Sequence, residues 1–209
     1  MRRYATVVLI FALAASLAAA ADDETAIRAT FERYRQALLA GDGAAAWVCV
    51  DARTHQYYDD LVRHALSSSR AELGKLEPGY RFMVLRIRLE ANRSTLGMMK
   101  GRDAFILAVE RGMISRSSVE AISELAQIQS NGRVAAASLP ADPESPVFAF
   151  VREDGGWKLS LWQTFDMLEA AFAEMIKQSG HSEDEFLKAL LAKVTTVKVD
   201  DRVFEGPLP

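Results

Sequence analysis

Cysteine and histidine are nearly absent from this chain of 209 residues, which carries one cysteine and three histidines. A single Cys49 excludes an internal disulfide, so stability must come from packing. Cys49 lies in the apolar run Ala44 to Val50 and reads as a buried, inert thiol rather than a reactive one. A zinc-type site needs three or four ligands held by further hydrogen bonds, and His55 and His64 have no third histidine nearby, so no metal and no other cofactor is expected. The motifs G-x-S-x-G, G-x-x-x-x-G-K-[ST], H-E-x-x-H and C-x-x-C are all missing, which removes several familiar enzyme classes. There is no basic stretch interleaved with aromatics, and the formal charge is -3, so nucleic acid is not an expected partner. The sequence also has no internal repeat and no low-complexity linker.

What is present begins with Arg2 and Arg3, an apolar stretch from Val7 to Leu17, and the small residues Ala18 to Ala21. That order reads as a secretory signal peptide cleaved near Ala20/Ala21, leaving a periplasmic or secreted protein. The apolar run is short for a bilayer span, and no cysteine follows it to carry a lipid, so no stable membrane anchor is expected. Half of the residues are hydrophobic, enough for a real core. Residues 22–209 read as one α+β domain, with residues 165–209 as a helical extension.

Ile27, Phe31, Tyr34 and Leu38 recur at helical spacing and give a first helix from Glu24 to Ala40, with Asp22 or Asp23 to cap it and Gly41 to end it. A short second helix contains Trp47. A third runs from Thr54 to Leu76, with Tyr57, Leu61, His64 or Ala65, and Leu73 inward. Pro78-Gly79 interrupts the pattern. From Tyr80 to Ala91 the apolar residues fit both a strand, through Met83, Leu85, Ile87 and Leu89, and a helix, through Tyr80, Met83, Val84, Ile87 and Ala91; we read a helix. Arg102 to Gly112 is a further helix.

Strands follow. Val119 to Gln129 and Arg133 to Leu139 flank Asn131-Gly132, a strong hairpin signal. After a loop from Pro140 to Pro146, a second hairpin joins Val147–Val151 to Trp157–Leu161 through Glu153-Asp154-Gly155-Gly156. Adjacent pairing gives an antiparallel sheet of about four strands. Beyond Trp162, Phe165, Leu168, Phe172 and Met175 or Ile176 mark a helix; Ser182 and Glu185 form a capping box for another; and Val197 and Val199 suggest a short edge strand.

The opening ETAIRATFERYRQALLAGDGAAAW and the closing VFAFVREDGGWKLSLW resemble the first helix with its turn, and the last hairpin, of the nuclear transport factor 2-like (SnoaL-like) superfamily. The resemblance implies N-terminal helices packed on a curved antiparallel sheet around a pocket. That superfamily includes isomerases, cyclases, dehydratases and many non-catalytic binding domains, so the fold alone does not choose a function. The region from Tyr80 to Ser115 and the helices after Phe165 depart from its usual pattern.

Three functional readings stand side by side. In the first, an exported, non-enzymatic domain binds a small apolar molecule or a protein partner, with Trp47, Tyr57, Phe148, Phe150 and Trp162 as ligand-binding residues. In the second, a lyase or isomerase acts on a small hydrophobic carbonyl compound. His55 and Asp59, at i and i+4, supply the general base, and Tyr58 or Tyr57 donates to the oxyanion. Asp60 and His64 repeat that spacing, although a solvated helix face with ordinary polar pairs gives the same pattern. In the third, the helices from Phe165 to Val194 form an interaction or homodimerisation surface. Arg81 with Arg88, or Arg86 with Arg93, share helix faces suited to an anionic ligand or a partner's carboxylates, with ion pairs to Glu77 or Glu90 as the preferred reading. Met98, Met99, Trp157 and Trp162 read as core rather than as a ligand box, and His181 as a surface residue.

Overall fold

The computed structural model describes residues 3–114 and 116–207, with side chains from residue 21 onward except those of 116–118. The side chains behind the signal-peptide reading therefore lie outside the described residues. In chain order the elements are α1 (Arg3–Ala40), α2 (Gly43–Trp47), α3 (Ala52–Ser67), α4 (Arg70–Leu73), α5 (Pro78–Glu90), α6 (Arg93–Met98), α7 (Gly101–Glu110), α8 (Arg116–Ala121), β1 (Ile128–Ser130), β2 (Val134–Leu139), β3 (Asp142–Glu153), β4 (Gly156–Ser160), α9 (Trp162–Ser179), α10 (Glu183–Val194) and α11 (Arg202–Glu205). The fold is α+β, with one antiparallel sheet in the order β1-β2-β3-β4. The chain divides into two compact units, one of residues 1–51 and 114–161, the other of residues 52–113 and 162–209. Among the described residues no helix is long and apolar enough to cross a membrane.

In the first unit, α1 lays Ile27, Phe31, Tyr34 and Leu38 on one buried stripe, as the spacing predicts. The stripe meets a sheet face built by small residues opposite large ones. Ala135 pairs with Phe150 and Ala137 with Phe148, so each ring fills the space its partner leaves. Phe31 packs on Phe148 with ring centroids 5.1 Å apart. The β3–β4 turn places Asp154 at φ 50° and Gly155 at φ 75°, the left-handed pair a two-residue hairpin requires.

Asp23 does not cap a helix start, because α1 runs through it. Its buried carboxylate instead accepts from Arg152 Nη2 at 2.8 Å, Trp157 Nε1 at 3.1 Å and Ser130 Oγ at 3.1 Å, tying helix to sheet.

Two expectations for this unit need correction. The strand from Val119 is α8 followed by irregular backbone, and only residues 128–130 pair as β1. The cause lies in α1. Arg35 Nε donates to Ile122 O at 2.7 Å, and Arg28 donates to Leu125 O and Ala126 O, so carbonyls that a strand neighbour would claim are taken by guanidinium groups. The loop from Pro140 is only a tight turn, after which β3 already begins at Asp142, with register shifts between Ala137 and Leu139 absorbing the prolines.

In the second unit, the long third helix breaks after Ser67. Ser69 starts α4 with a capping box to Glu72, and Arg88 fills the gap. Arg88 is 0% exposed and donates to the carbonyls of His64, Ala65 and Ser68 at the end of α3, and of Val203 and Phe204 in α11. Burial pulls its pKa down to about 10. The ambiguous segment from Tyr80 is helix α5, with Pro78 in its first turn and Val84, Leu85 and Ile87 fully buried. Arg81 pairs with Glu183 at 2.9 Å and with Asp184, both on α10, rather than with Glu77; Arg86 pairs with Glu90 at 3.3 Å.

Several side chains of this unit differ from the sequence reading. Met98 ends the short α6 and is 76% exposed, not core. On α9, Phe172 is buried against Phe82 with centroids 5.3 Å apart, while Leu168 and Met175 are exposed. The packed stripe runs from Phe165 through Phe172 to Ile176, and Leu168 and Met175 sit some way round the helix from it. The tail forms no strand at Val197 or Val199; its ordered element is α11, anchored by buried Val203 and Phe204.

Candidate functional site: an aromatic cleft in the second unit

Two helix faces with the same spacing make the walls. Arg53, Gln56, Tyr57 and Asp60 stand at i, i+3, i+4 and i+7 on α3; Trp162, Phe165, Asp166 and Glu169 stand likewise on α9. Lys75, Leu76, Glu77 and Tyr80 close a further side. The enclosed volume is about 570 Å³ and opens to solvent. That lies within the range of small-molecule sites, which combine apolar walls with a few polar groups.

The aromatic rings contact one another around this space. Tyr57 and Phe165 stack with centroids 3.9 Å apart and planes at 17°. Tyr80 meets Tyr57 edge-on at 4.9 Å, and Trp162 meets Phe165 edge-on at 6.5 Å. The Arg53 guanidinium lies over the Trp162 ring, 3.5 Å from its centroid. Burial pushes the Tyr57 and Tyr80 phenols well above their usual range, so both stay neutral at any physiological pH.

The carboxylates of the cleft differ in how they are held. Glu169 accepts from Gly79 N at 2.7 Å and Tyr80 N at 2.6 Å, so α9 supplies the anion that caps α5. Burial nevertheless raises its carboxyl above the usual value, and neighbouring Glu77 and Asp166 add to that. For Asp60, burial acts upward, but hydrogen bonds from Arg63 and Gln56 outweigh it and hold the carboxyl below its usual value.

The residues singled out from sequence are distributed between the two units. Tyr57 and Trp162 line the cleft. Trp47, Phe148 and Phe150 belong to the first unit, where Phe150 is fully buried and Phe148 packs on α1. His55 is half-buried on α3. Asp59 Oδ1 accepts from Gly101 N at 2.8 Å, so its carboxylate starts α7. Tyr58 is buried edge-on against Phe105 at 5.0 Å, and burial raises its phenol pKa. Asp60 pairs with Arg63 at 2.8 Å, and His64 Nδ1 lies 2.8 Å from Ser68 Oγ. Burial, followed by the nearby Arg63 charge, lowers the His64 pKa. Cys49 is buried, its thiol raised by desolvation. His181 is exposed.

Sequence reasoning missed Arg53, Tyr80, Phe165, Asp166 and Glu169 as lining residues. The signal was the repeated i, i+3, i+4, i+7 pattern, which places aromatic and charged residues together on a helix face where a core helix would carry aliphatics. Among the described residues no group of three or more His, Cys, Asp or Glu side chains is placed to hold a metal ion. Compared with family models, curated proteins and solved structures, the chain matches none of them.

Proposed function

We propose that this chain is an exported, non-enzymatic binding protein whose second-unit cleft takes a small molecule with an apolar body. One observation carries the reading: Tyr57, Tyr80, Trp162 and Phe165 outline an open volume of about 570 Å³ instead of filling it. Tyr80, Trp162 and Phe165 are half-buried, and the aromatic surface they leave open to solvent costs free energy that a bound apolar body recovers, at about 25 cal/mol for each Å² buried. The residues marked out for acid–base work are engaged differently: Asp59 holds the start of α7, and Tyr58 packs against Phe105. Export rests on the charged, apolar and small-residue order of residues 1–21. Asp23, the sheet-tying carboxylate, lies just after the expected cleavage point, so a processed chain keeps that anchor. The resemblance to the nuclear transport factor 2-like superfamily, with its many non-catalytic binding domains, accords with a binding role.

Titration of the processed protein with N-phenyl-1-naphthylamine, a neutral dye that fluoresces in apolar surroundings, tests the reading. A saturable 1:1 rise is expected, weakened at least about tenfold, or about 1.4 kcal/mol, by Trp162→Ala or Phe165→Ala in folded protein. No saturable binding, or binding indifferent to both substitutions, contradicts it.

A further inference from the structure

The carboxylates of the cleft narrow the chemistry of its occupant, and this step rests on the binding reading above. Asp60 is neutralised by Arg63, and Glu169 is spent on the N–H groups of Gly79 and Tyr80. Glu77, beside those N–H groups, and Asp166, one turn before Glu169 on α9, are exposed, line the cleft, and form no ion pair among the described residues. They share the lining of the cleft with Tyr57, Tyr80 and Phe165. The wall already holds one cation of the chain's own, the Arg53 guanidinium on Trp162 at 3.5 Å.

We infer that the cleft recognises an organic cation, an amine or quaternary ammonium carried on an apolar body, whose charge lies between the aromatic rings and the carboxylates of Glu77 and Asp166. Rings attract a cation through the negative potential of their faces, and the attraction grows as the site excludes water. With Asp60 neutralised by Arg63, three lining carboxylates, Glu77, Asp166 and Glu169, stand against two lining cations, Arg53 and Lys75, so an anionic ligand meets net repulsion. A neutral ligand gains the aromatic surface but nothing from Glu77 or Asp166.

Competition against bound N-phenyl-1-naphthylamine separates these cases, using three probes of similar size on the full processed chain: benzyltrimethylammonium, its uncharged isostere neopentylbenzene, and 3-phenylpropanoate. The cation should displace the dye at a concentration at least about tenfold lower than its isostere, equivalent to about 1.4 kcal/mol. That advantage should shrink to within about threefold in the double variant Glu77→Gln, Asp166→Asn and diminish as salt is raised. Equal competition by cation and isostere overturns the inference while leaving the binding reading intact. Strongest competition by 3-phenylpropanoate also overturns it, since Arg53 and Lys75 then read an anion. If the dye itself does not bind, the binding reading fails and the inference falls with it.

Discussion

Both units bury aromatic residues in their cores, but only in the second does a further group of rings line a cleft. In the first, Phe148 and Phe150 sit opposite Ala137 and Ala135, Trp157 ties its indole to Asp23, and the sheet face is filled under α1. In the second, Tyr57, Tyr80, Phe165 and Trp162 stand on helix faces around an open volume. The buried charges differ as well. Asp23 is an anion satisfied by side chains from β1, β3 and β4, whereas Arg88 is a cation satisfied by backbone carbonyls at the ends of α3 and in α11. A sheet can bring side-chain donors to a carboxylate from several strands. A helical unit has surplus carbonyls at its helix ends, and a guanidinium with five donors is suited to gather them.

The largest expected effect is at Arg88. Arg88→Ala takes the guanidinium from four buried carbonyls, those of Ala65, Ser68, Val203 and Phe204, and should cost about 5 kcal/mol, enough to unfold the second unit, with Arg88→Lys giving little rescue because an ammonium cannot span them. Urea unfolding read through the helical signal checks this; a loss under about 1 kcal/mol would mean water replaces the guanidinium without penalty.

Asp23→Ala should cost about 3 kcal/mol, since Trp157 and Arg152 lose a charged acceptor in a buried setting. The Trp157 indole N–H should exchange faster with solvent in the variant, and unchanged exchange would show that the carboxylate is dispensable.

Gly101→Ala comes next, at about 2 kcal/mol, because a Cβ there would lie 2.5 Å from the Asp59 backbone nitrogen. A wild-type melting temperature would show that α7 can shift without cost.

Asp184 gives a pH-dependent effect. Burial acts to raise its carboxyl, but the bonds from Arg70 and Arg81 prevail and hold it below the usual value of 3.8. A depressed carboxyl contributes stability that is complete above 3.8 and lost as pH falls through the lowered value. Asp184→Asn should therefore lower the urea midpoint at pH 6, by about 1 kcal/mol in stability, with the gap closing as pH falls below the usual aspartate value. A gap that stays constant down to pH 3 would contradict the clasp.

Much of the fold was legible because periodicity and turn chemistry act locally. The α1 stripe, the Asp154-Gly155 hairpin and the Ser182–Glu185 capping box needed only neighbouring residues to specify them. The failures came from distant partners. Nothing near Val119 reveals that Arg28 and Arg35 take the carbonyls that follow, and nothing near Ser67 reveals that Arg88 makes a helix break there favourable. The candidate site was half legible. Tyr57 and Trp162 stood out as large aromatics, but the lining role of Tyr80 depends on α5 being helical, a segment whose apolar residues fit either period. His55, Asp59 and Tyr58 had suitable spacing for chemistry, yet i, i+4 spacing cannot show that Asp59 turns to Gly101 and Tyr58 to Phe105.

The central claim is that one group of the second unit's aromatics, Tyr57, Tyr80, Trp162 and Phe165, forms a site, while its other rings and Phe148, Phe150 and Trp157 of the first unit form core. The chain has three tryptophans, with Trp47 and Trp157 in the first unit and Trp162 in the cleft. Incorporating 5-fluorotryptophan gives three fluorine resonances, assignable by single Trp→Phe substitutions, and titrating N-phenyl-1-naphthylamine then reports where an apolar molecule goes. The account predicts that the Trp162 resonance moves and saturates while the other two stay in place. Movement of Trp47 or Trp157 with Trp162 unchanged, or no movement at saturating dye, would contradict it.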